Sequence, residues 1–272
     1  MILQRKVDTL KFMLENAVGT ERVRTMPPLV LMEALNAAQD DIIGRLALLD
    51  ESYGVRTLEF TAQSTNPTLL PEYATTLLDL RYAGSGGIPG NRFNIGDHRY
   101  RQAQGNDVYL VGKTLEFSSP PSSTLRMDFR GSCWPMFLTK IATSSGKTIF
   151  TLDAGTILGE VYAEPDYYVG GIVRVTDLTS KLYQRSRVAT FVATSLTVTI
   201  SPELWITPPE GGPVWHVELE SEVPASLHGN LIDIAFARLT GNLDAKEKIL
   251  RGIIPVSIRK AQFPGKPHEV GY

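Results

Sequence analysis

The residues that most resemble a reaction centre are Gly131-Ser-Cys-Trp134, with His268 lying 135 positions after Cys133. The run matches most of a Cys-Gly-Ser-Cys-Trp nucleophile signature, and His268 falls inside the window expected for the base. A thiolate of that kind needs a helix N-terminus or a neighbouring cation to lower its pKa. Here a β-prone run precedes the cysteine and Pro135 follows two residues later. Arg130 stands where the signature has its first Cys, and no Asn follows His268. The bland reading is a small buried thiol beside a core tryptophan. Ser144-Ser-Gly-Lys-Thr148 ends like a phosphate loop. Ile141 occupies the position where such a loop needs its first glycine, and a β-run follows, so a β-turn is expected. His98, His216, His228 and His268 show no metal-ligand spacing. Tyr167, Tyr168, Trp205 and Trp215 have the chemistry of a carbohydrate platform, with core and edge packing as the alternative. Asp40-Asp41 reads as a solvated acidic pair. No catalytic, cofactor or metal residue is assigned.

Charge is more telling. The whole chain has 272 residues, 27 Lys+Arg against 29 Asp+Glu, and a net charge of -2, unlike a strongly basic nucleic-acid clamp. Residues 150–222 hold ten acids and four bases, a sign that repels DNA. Residues 81–105 carry four arginines against Asp97, and the last twenty residues are basic and proline-containing. They read as an extended arm. One cysteine excludes an intramolecular disulfide framework. The N-terminus lacks a signal-peptide core and no apolar run reaches 18 residues, so the expected product is soluble and cytoplasmic.

These segments need positioning elements. Leu3, Val7, Leu10 and Leu14 predict a helix over 3–17, stopped by Gly19. Thr25 as cap and Pro27-Pro28 open a second helix to Leu49, with Leu31, Leu35, Ile42, Leu46 and Leu49 on one face and Glu33, Asn36, Asp40 and Asp41 on or near the other. Val55–Phe60 reads as a strand. Pro71-Glu72 opens a third helix, with Ala74, Leu77 and Leu80 on its buried side. Four glycines and a proline within 84–90 then end the helical texture. Short β-runs follow at 109–111, 114–117, 125–129, 148–152, 171–175, 187–192, 196–200 and 214–219, with Pro120-Pro121 separating 114–117 and 125–129 as a hairpin-like turn. From Pro224, Leu227, Leu231, Ile234, Ala235 and Leu239 mark a helix closed by Gly241, and Asn242 starts a short one ending at Arg251. The fold class expected is α+β. N- and C-terminal segments form a helical bundle with a β-hairpin region and an inserted antiparallel β-sandwich or barrel.

The order of segments resembles the head-to-tail connector, or neck adaptor, proteins of tailed bacteriophages. Glu33-Ala-Leu-Asn-Ala-Ala-Gln-Asp-Asp-Ile42 is similar to their first core helix, which reads Asn-x-Ala-Gln-x-x-Ile. Leu70-Pro-Glu-Tyr73 resembles the start of the next helix. Tyr109–Phe117, Pro120-Pro121 and Leu125–Phe129 resemble the central hairpin, and Pro224–Leu239 the returning helix. Residues 138–222 resemble a small β-domain of phage virion proteins through Asp166-Tyr167, Gly171–Val175, Val198–Pro202, Trp205 and Pro208. They depart from it at 177–184, where a Gly-rich turn is usual.

The resemblance implies an adaptor core over 1–137, an inserted β-domain over 138–222, returning helices over 223–252 and an extended arm over 253–272. It implies a structural, non-enzymatic virion protein at the phage neck, made in the host cytoplasm. Such proteins form a homo-oligomeric ring, usually of twelve subunits. The ring bridges portal to a downstream tail or nozzle protein and lets DNA through without sequence-specific binding, with no membrane partner. Arg259, Lys260, Phe263, Lys266 and Tyr272 are the candidate portal-docking residues of the arm. Rival readings are another tail part (nozzle, tail-completion or baseplate), a carbohydrate-binding module, and a papain-like cysteine hydrolase using Cys133 and His268.

Overall fold

The computed structural model describes residues 6–61, 68–70, 73–83, 90–96, 107–117, 124–159, 161, 167–180, 182–205, 207–208 and 215–253. The chain divides into two compact units, Met1–Asp50 with Cys133–Tyr272, and Glu51–Ser132.

The first unit combines helices with a closed barrel. Helix α1 (Val7–Val18) buries Val7, Leu10 and Leu14, one residue per turn on a single face. Gly19 follows it, and the one-turn α2 (Thr20–Val23) leads to α3 (Pro28–Leu49). The N-cap position of α3 belongs to Pro27; Thr25 instead donates its hydroxyl to the Arg22 carbonyl. α3 buries Leu31, Met32, Leu35, Ala38, Ile42 and Leu46. After the barrel, α4 (His228–Leu239) buries Leu231, Ile232, Ile234 and Ala235, and it packs against α1, α3 and α5 (Leu243–Arg251). Asn242 caps α5, its Oδ1 accepting from the Ala245 N–H.

The barrel strands are numbered after the strands of the second unit, in chain order. They are β8 (Leu138–Ser145), β9 (Ile149–Leu152), β10 (Ile172–Asp177), β11 (Tyr183–Val192), β12 (Thr197–Ser201) and β13 (Trp215–Leu219). They close in the order β10-β11-β12-β9-β8-β13, every pairing antiparallel. Inward positions alternate along the strands, except that a bulge in β11 between Val188 and Thr190 sets Val188 and Phe191 three apart, and Val173, Val175, Val188, Phe191, Val198, Ile200, Val217 and Leu219 fill the interior. Phe137, Tyr168 and Phe191 meet edge to face, with centroids 5.6 and 4.9 Å apart. Closure leaves no exposed edge strand. β8 was not among the expected strands. The Ser-Gly-Lys-Thr run is the β8–β9 hairpin turn, with Gly146 at φ +69°.

Among its described residues the second unit holds strands and no helix, so the first run of helices ends at Leu49 rather than near residue 83. One sheet is β1 (Val55–Thr61), β7 (Thr124–Gly131) and β3 (Ala74–Tyr82), in the order β1-β7-β3. The other is β2 (Thr68–Leu69), β6 (Thr114–Phe117), β5 (Asp107–Val111) and β4 (Asn94–Gly96). Leu80, Leu125, Met127 and Phe129 pack with Phe93, Val108 and Leu115 into one core.

Two expectations fail here. The expected third helix is not there: 74–82 is β3, and Pro71 and Glu72 lie outside the described residues. Its pairing with β7 slips between Ala74 and Thr76 and again between Leu77 and Asp79. Each bulge adds a residue, so Ala74, Leu77 and Leu80 oppose Gly131, Phe129 and Met127 at a spacing of three. Two bulges thus imitate a helical stripe. Nor do 114–117 and 125–129 form a hairpin. β6 pairs with β5 and β2, while β7 pairs with β1 and β3. The hairpin is β5–β6, turned by Gly112 at φ +62° and Lys113.

Candidate functional site

The segment 36–40 of α3 is where the barrel is held. Asn36, Gln39 and Asp40 stand three and four residues apart on α3, on one face. Asp40 Oδ1 accepts from the Cys133 N–H at 2.8 Å, and Asn36 Oδ1 from the Met136 N–H at 2.8 Å. Gln39, fully buried, donates Nε2 to the Trp134 carbonyl at 2.9 Å. Its Oε1 accepts from the Ser221 hydroxyl at 2.7 Å and the Glu222 N–H at 2.8 Å. Glu222 in turn accepts from the Trp134 N–H at 2.6 Å. Residues 133–136 enter the barrel and 221–222 leave it, and neither run lies in a strand. Their backbone groups need partners, and three α3 side chains supply them. Each buried group stranded by losing Gln39 would cost about 1–3 kcal/mol.

Asp40-Asp41 is therefore not the purely solvated pair expected. Asp41 also pairs with Arg238 of α4 at 2.6 Å and Lys246 of α5 at 3.5 Å.

A second joint lies on the barrel's outer wall. Arg185, Arg174 and Glu218 are direct cross-strand partners on β11, β10 and β13. Arg174 is 3% exposed and bridges Glu218 at 3.2 Å and Glu220 at 2.7 Å. Arg185 completes Glu220 at 2.6 Å. Glu218 Oε2 accepts from the Val7 N–H at 3.0 Å, so it caps the first turn of α1. Burial pushes the Glu218 carboxyl up to about 7, against the pull of Arg174 and the Val7 N–H; Glu220 adds to the rise. The Arg174 guanidinium lies 4.8 Å from the Tyr183 ring centroid, and Lys6 Nζ lies 6.0 Å from it. Taking two acids and two bases out as internal pairs leaves eight acids against two bases in 150–222, the same net sign.

Cys133 is buried in an extended run that leads into β8, with no helix after it. Its proposed partner His268 lies outside the described residues, as do the arm residues Arg259, Lys260, Phe263, Lys266 and Tyr272, and His98. His228 is fully buried with Nε2 3.2 Å from the Val223 carbonyl oxygen. The ring of His216 is pushed down by burial and by Lys140, Asp8 opposing. Among the described residues no group of three or more His, Cys, Asp or Glu could hold a metal ion, and no helix is long and apolar enough to cross a membrane.

The four aromatic residues separate. Tyr167 and Tyr168 are barrel core at 5% and 1% exposure. Trp205 is 73% exposed and shares a cleft with Trp215 and Tyr183. Apolar spacing alone puts Asn36 on or near the outer face of the helix and marks Gln39 only as a letter of the helix motif. A polar triplet at helical spacing beside buried Leu35 and Ala38 is the signal that would have found the joint.

No protein-family model matches the chain, and no curated protein matches it in sequence.

Proposed function

We propose that the chain is a structural subunit of the bacteriophage neck: a ring-forming adaptor between portal and tail. One observation carries the reading. The stretch that resembles the first adaptor helix, Asn36 to Ile42, is the stretch whose side chains hold both ends of the barrel. The helix that resembles the returning element, α4, packs on that same α3. In this reading N- and C-terminal segments make a helical bundle that carries the subunit contacts, and the barrel is a decoration inserted into it. A ring closes from one heterologous contact repeated, provided the rotation closes. The basic arm is the portal contact, through Arg259, Lys260, Phe263, Lys266 and Tyr272. A proline-restricted arm loses less entropy when it orders on a partner.

The test is electron microscopy and native mass of the full chain, alone and with a tailed-phage portal protein. A closed ring seated on the portal is expected. Removing 256–272 should abolish seating while leaving the thermal transition unchanged. A chain that stays monomeric and does not bind portal at micromolar concentration overturns the reading.

A further inference from the structure

We propose that the mouth of the barrel around Asp177, Tyr183, Trp205 and Trp215 is a saccharide-binding site, taking a neutral sugar unit stacked on the Trp205 indole. The site goes beyond the neck reading and does not depend on it. β10 ends at Asp177, β11 begins at Tyr183 and β13 begins at Trp215, so the three residues share one end of the barrel. Asp177 and Trp215 are direct cross-strand partners. The cleft between them and Trp205 is floored by Val175 and Leu204, 1% and 2% exposed. Barrel mouths are a recurrent place for ligand sites.

The platform is held in advance. The Trp205 N–H donates to Gln184 Oε1 at 2.7 Å, Gln184 Nε2 donates to the Glu203 carbonyl at 2.6 Å, and the Leu204 N–H donates to the Lys147 carbonyl at 2.9 Å. An indole 73% exposed on a backbone so fixed offers a flat apolar face with no backbone left to order on binding. Beside it, Asp177 accepts from the Thr179 N–H at 2.8 Å and the Ser180 hydroxyl at 2.7 Å, one bond to each oxygen. Those bonds, the Ser180 one foremost, hold its carboxyl below the ordinary range. Each carboxylate oxygen keeps a lone pair for a further donor.

An apolar face next to a hydroxyl-accepting carboxylate is the chemistry of a sugar ring: C–H groups on one side, vicinal O–H groups at the edge. A dry apolar protein segment fits less well, because it would strip water from Asp177 and return no donor. Asp177, which lines the cleft, disfavours an anionic sugar.

The experiment titrates the full chain with neutral gluco-, manno-, galacto- and N-acetylglucosamine tetrasaccharides, read by tryptophan fluorescence, with a glycan array for breadth. At least one neutral series should bind. Trp205→Ala should weaken it at least about tenfold, and Asp177→Asn by about threefold or more. Trp205→Ala should leave the thermal transition in place, since the ring is on the surface. Absence of binding at about 10 mM sugar, or binding that survives Trp205→Ala, overturns the proposal. If no sugar binds and Trp205→Ala instead breaks the ring or its seating on the portal, the mouth is a protein interface and the sugar site is wrong. Failure of the neck reading would show as absence of a ring in the unsubstituted chain, a separate result.

Discussion

The two units solve the same problem, placing charges in a β-rich protein, in opposite ways. In the helix–barrel unit one ion-pair ladder lies against the start of α1, out of water: Arg174, Glu218 and Glu220 have side chains 3%, 4% and 1% exposed. In the second unit Arg81, Asp79 and Asp128 form a cluster 18–19% exposed, edged by Arg92 and Arg126 at 74% and 43%. Its apolar core lies elsewhere, between Leu80, Met127 and Phe129 of one sheet and Val108 and Leu115 of the other. A charge removed from water must keep its partner, whereas a charge left at the surface can fall back on solvent. The same residue types should therefore be indispensable in one unit and dispensable in the other.

Arg174→Met gives the largest expected effect. It leaves Glu218 and Glu220 buried, with the half-exposed Arg185 still paired to Glu220. Breaking a buried pair from one side costs about 3–5 kcal/mol. Urea unfolding should show a loss of that size, and the double change Arg174→Met with Glu218→Leu should recover much of it. A loss below about 1 kcal/mol would mean that the ladder is not a joint and that the contrast between the units is false.

pH probes the same ladder more gently. The Glu218 carboxyl sits at about 7 in the fold, against an ordinary 4.5. Its folded state binds the proton more tightly than the unfolded chain does. The contribution is thus complete below pH 4.5 and is lost as pH rises through about 7, a change of about 3 kcal/mol. Unfolding free energies from urea at pH 5 and pH 8 should differ by about 2.5 kcal/mol more in the natural chain, which is the more stable at pH 5, than in Glu218→Gln, where Gln can still accept from the Val7 N–H. His216, shifted down, acts in the opposite direction below its ordinary 6.5 and is common to both chains, so the difference isolates Glu218. Equal pH slopes in the two proteins would refute the assignment.

Local signals in the sequence were readable where the cause is local. The α3 and α4 stripes, the Asn242 cap and the Gly146 turn each rest on residues within a few positions of one another, and the structure has them there. What was misread depends on distant chain. β3 looks helical because two bulges against β7 set its inward residues three apart, and β7 is some fifty residues away. The 114–129 hairpin looked natural because its runs adjoin, yet β7 finds β1, with Thr57 bonded to Asp128 across 71 positions. The barrel strands show charged outward positions, Arg174 between valines and Glu218 between Val217 and Leu219. That pattern says the charges face out. It does not say that α1 covers them, which follows only from the Val7–Glu218 contact across 211 positions. Trp205 and Tyr167 look alike as letters; only burial tells a platform from a core.

The smallest expected effect belongs to Asp128→Asn in the second unit. Asp128 and Asp79 are direct cross-strand partners, two carboxylates facing each other on one sheet. Like charges so placed repel, by roughly 0.2–1 kcal/mol. Arg81 answers that repulsion by reaching both, at 2.9 Å to Asp128 and 3.7 Å to Asp79. Asn at 128 removes one repulsion together with the charge pairs to Arg81 and the more exposed Arg126, and its side-chain oxygen can still accept from the Thr57 hydroxyl, which now donates at 2.5 Å. Arg81 keeps Asp79, and Arg92 stays 3.4 Å from it. With the terms offsetting, the change in unfolding free energy should stay within about 1 kcal/mol, and salt should move it little further. A loss matching that of Arg174→Met would show that exposure does not separate the two clusters. A larger loss in low salt than in high salt would place the cost in the Arg81 pair rather than in the sheet.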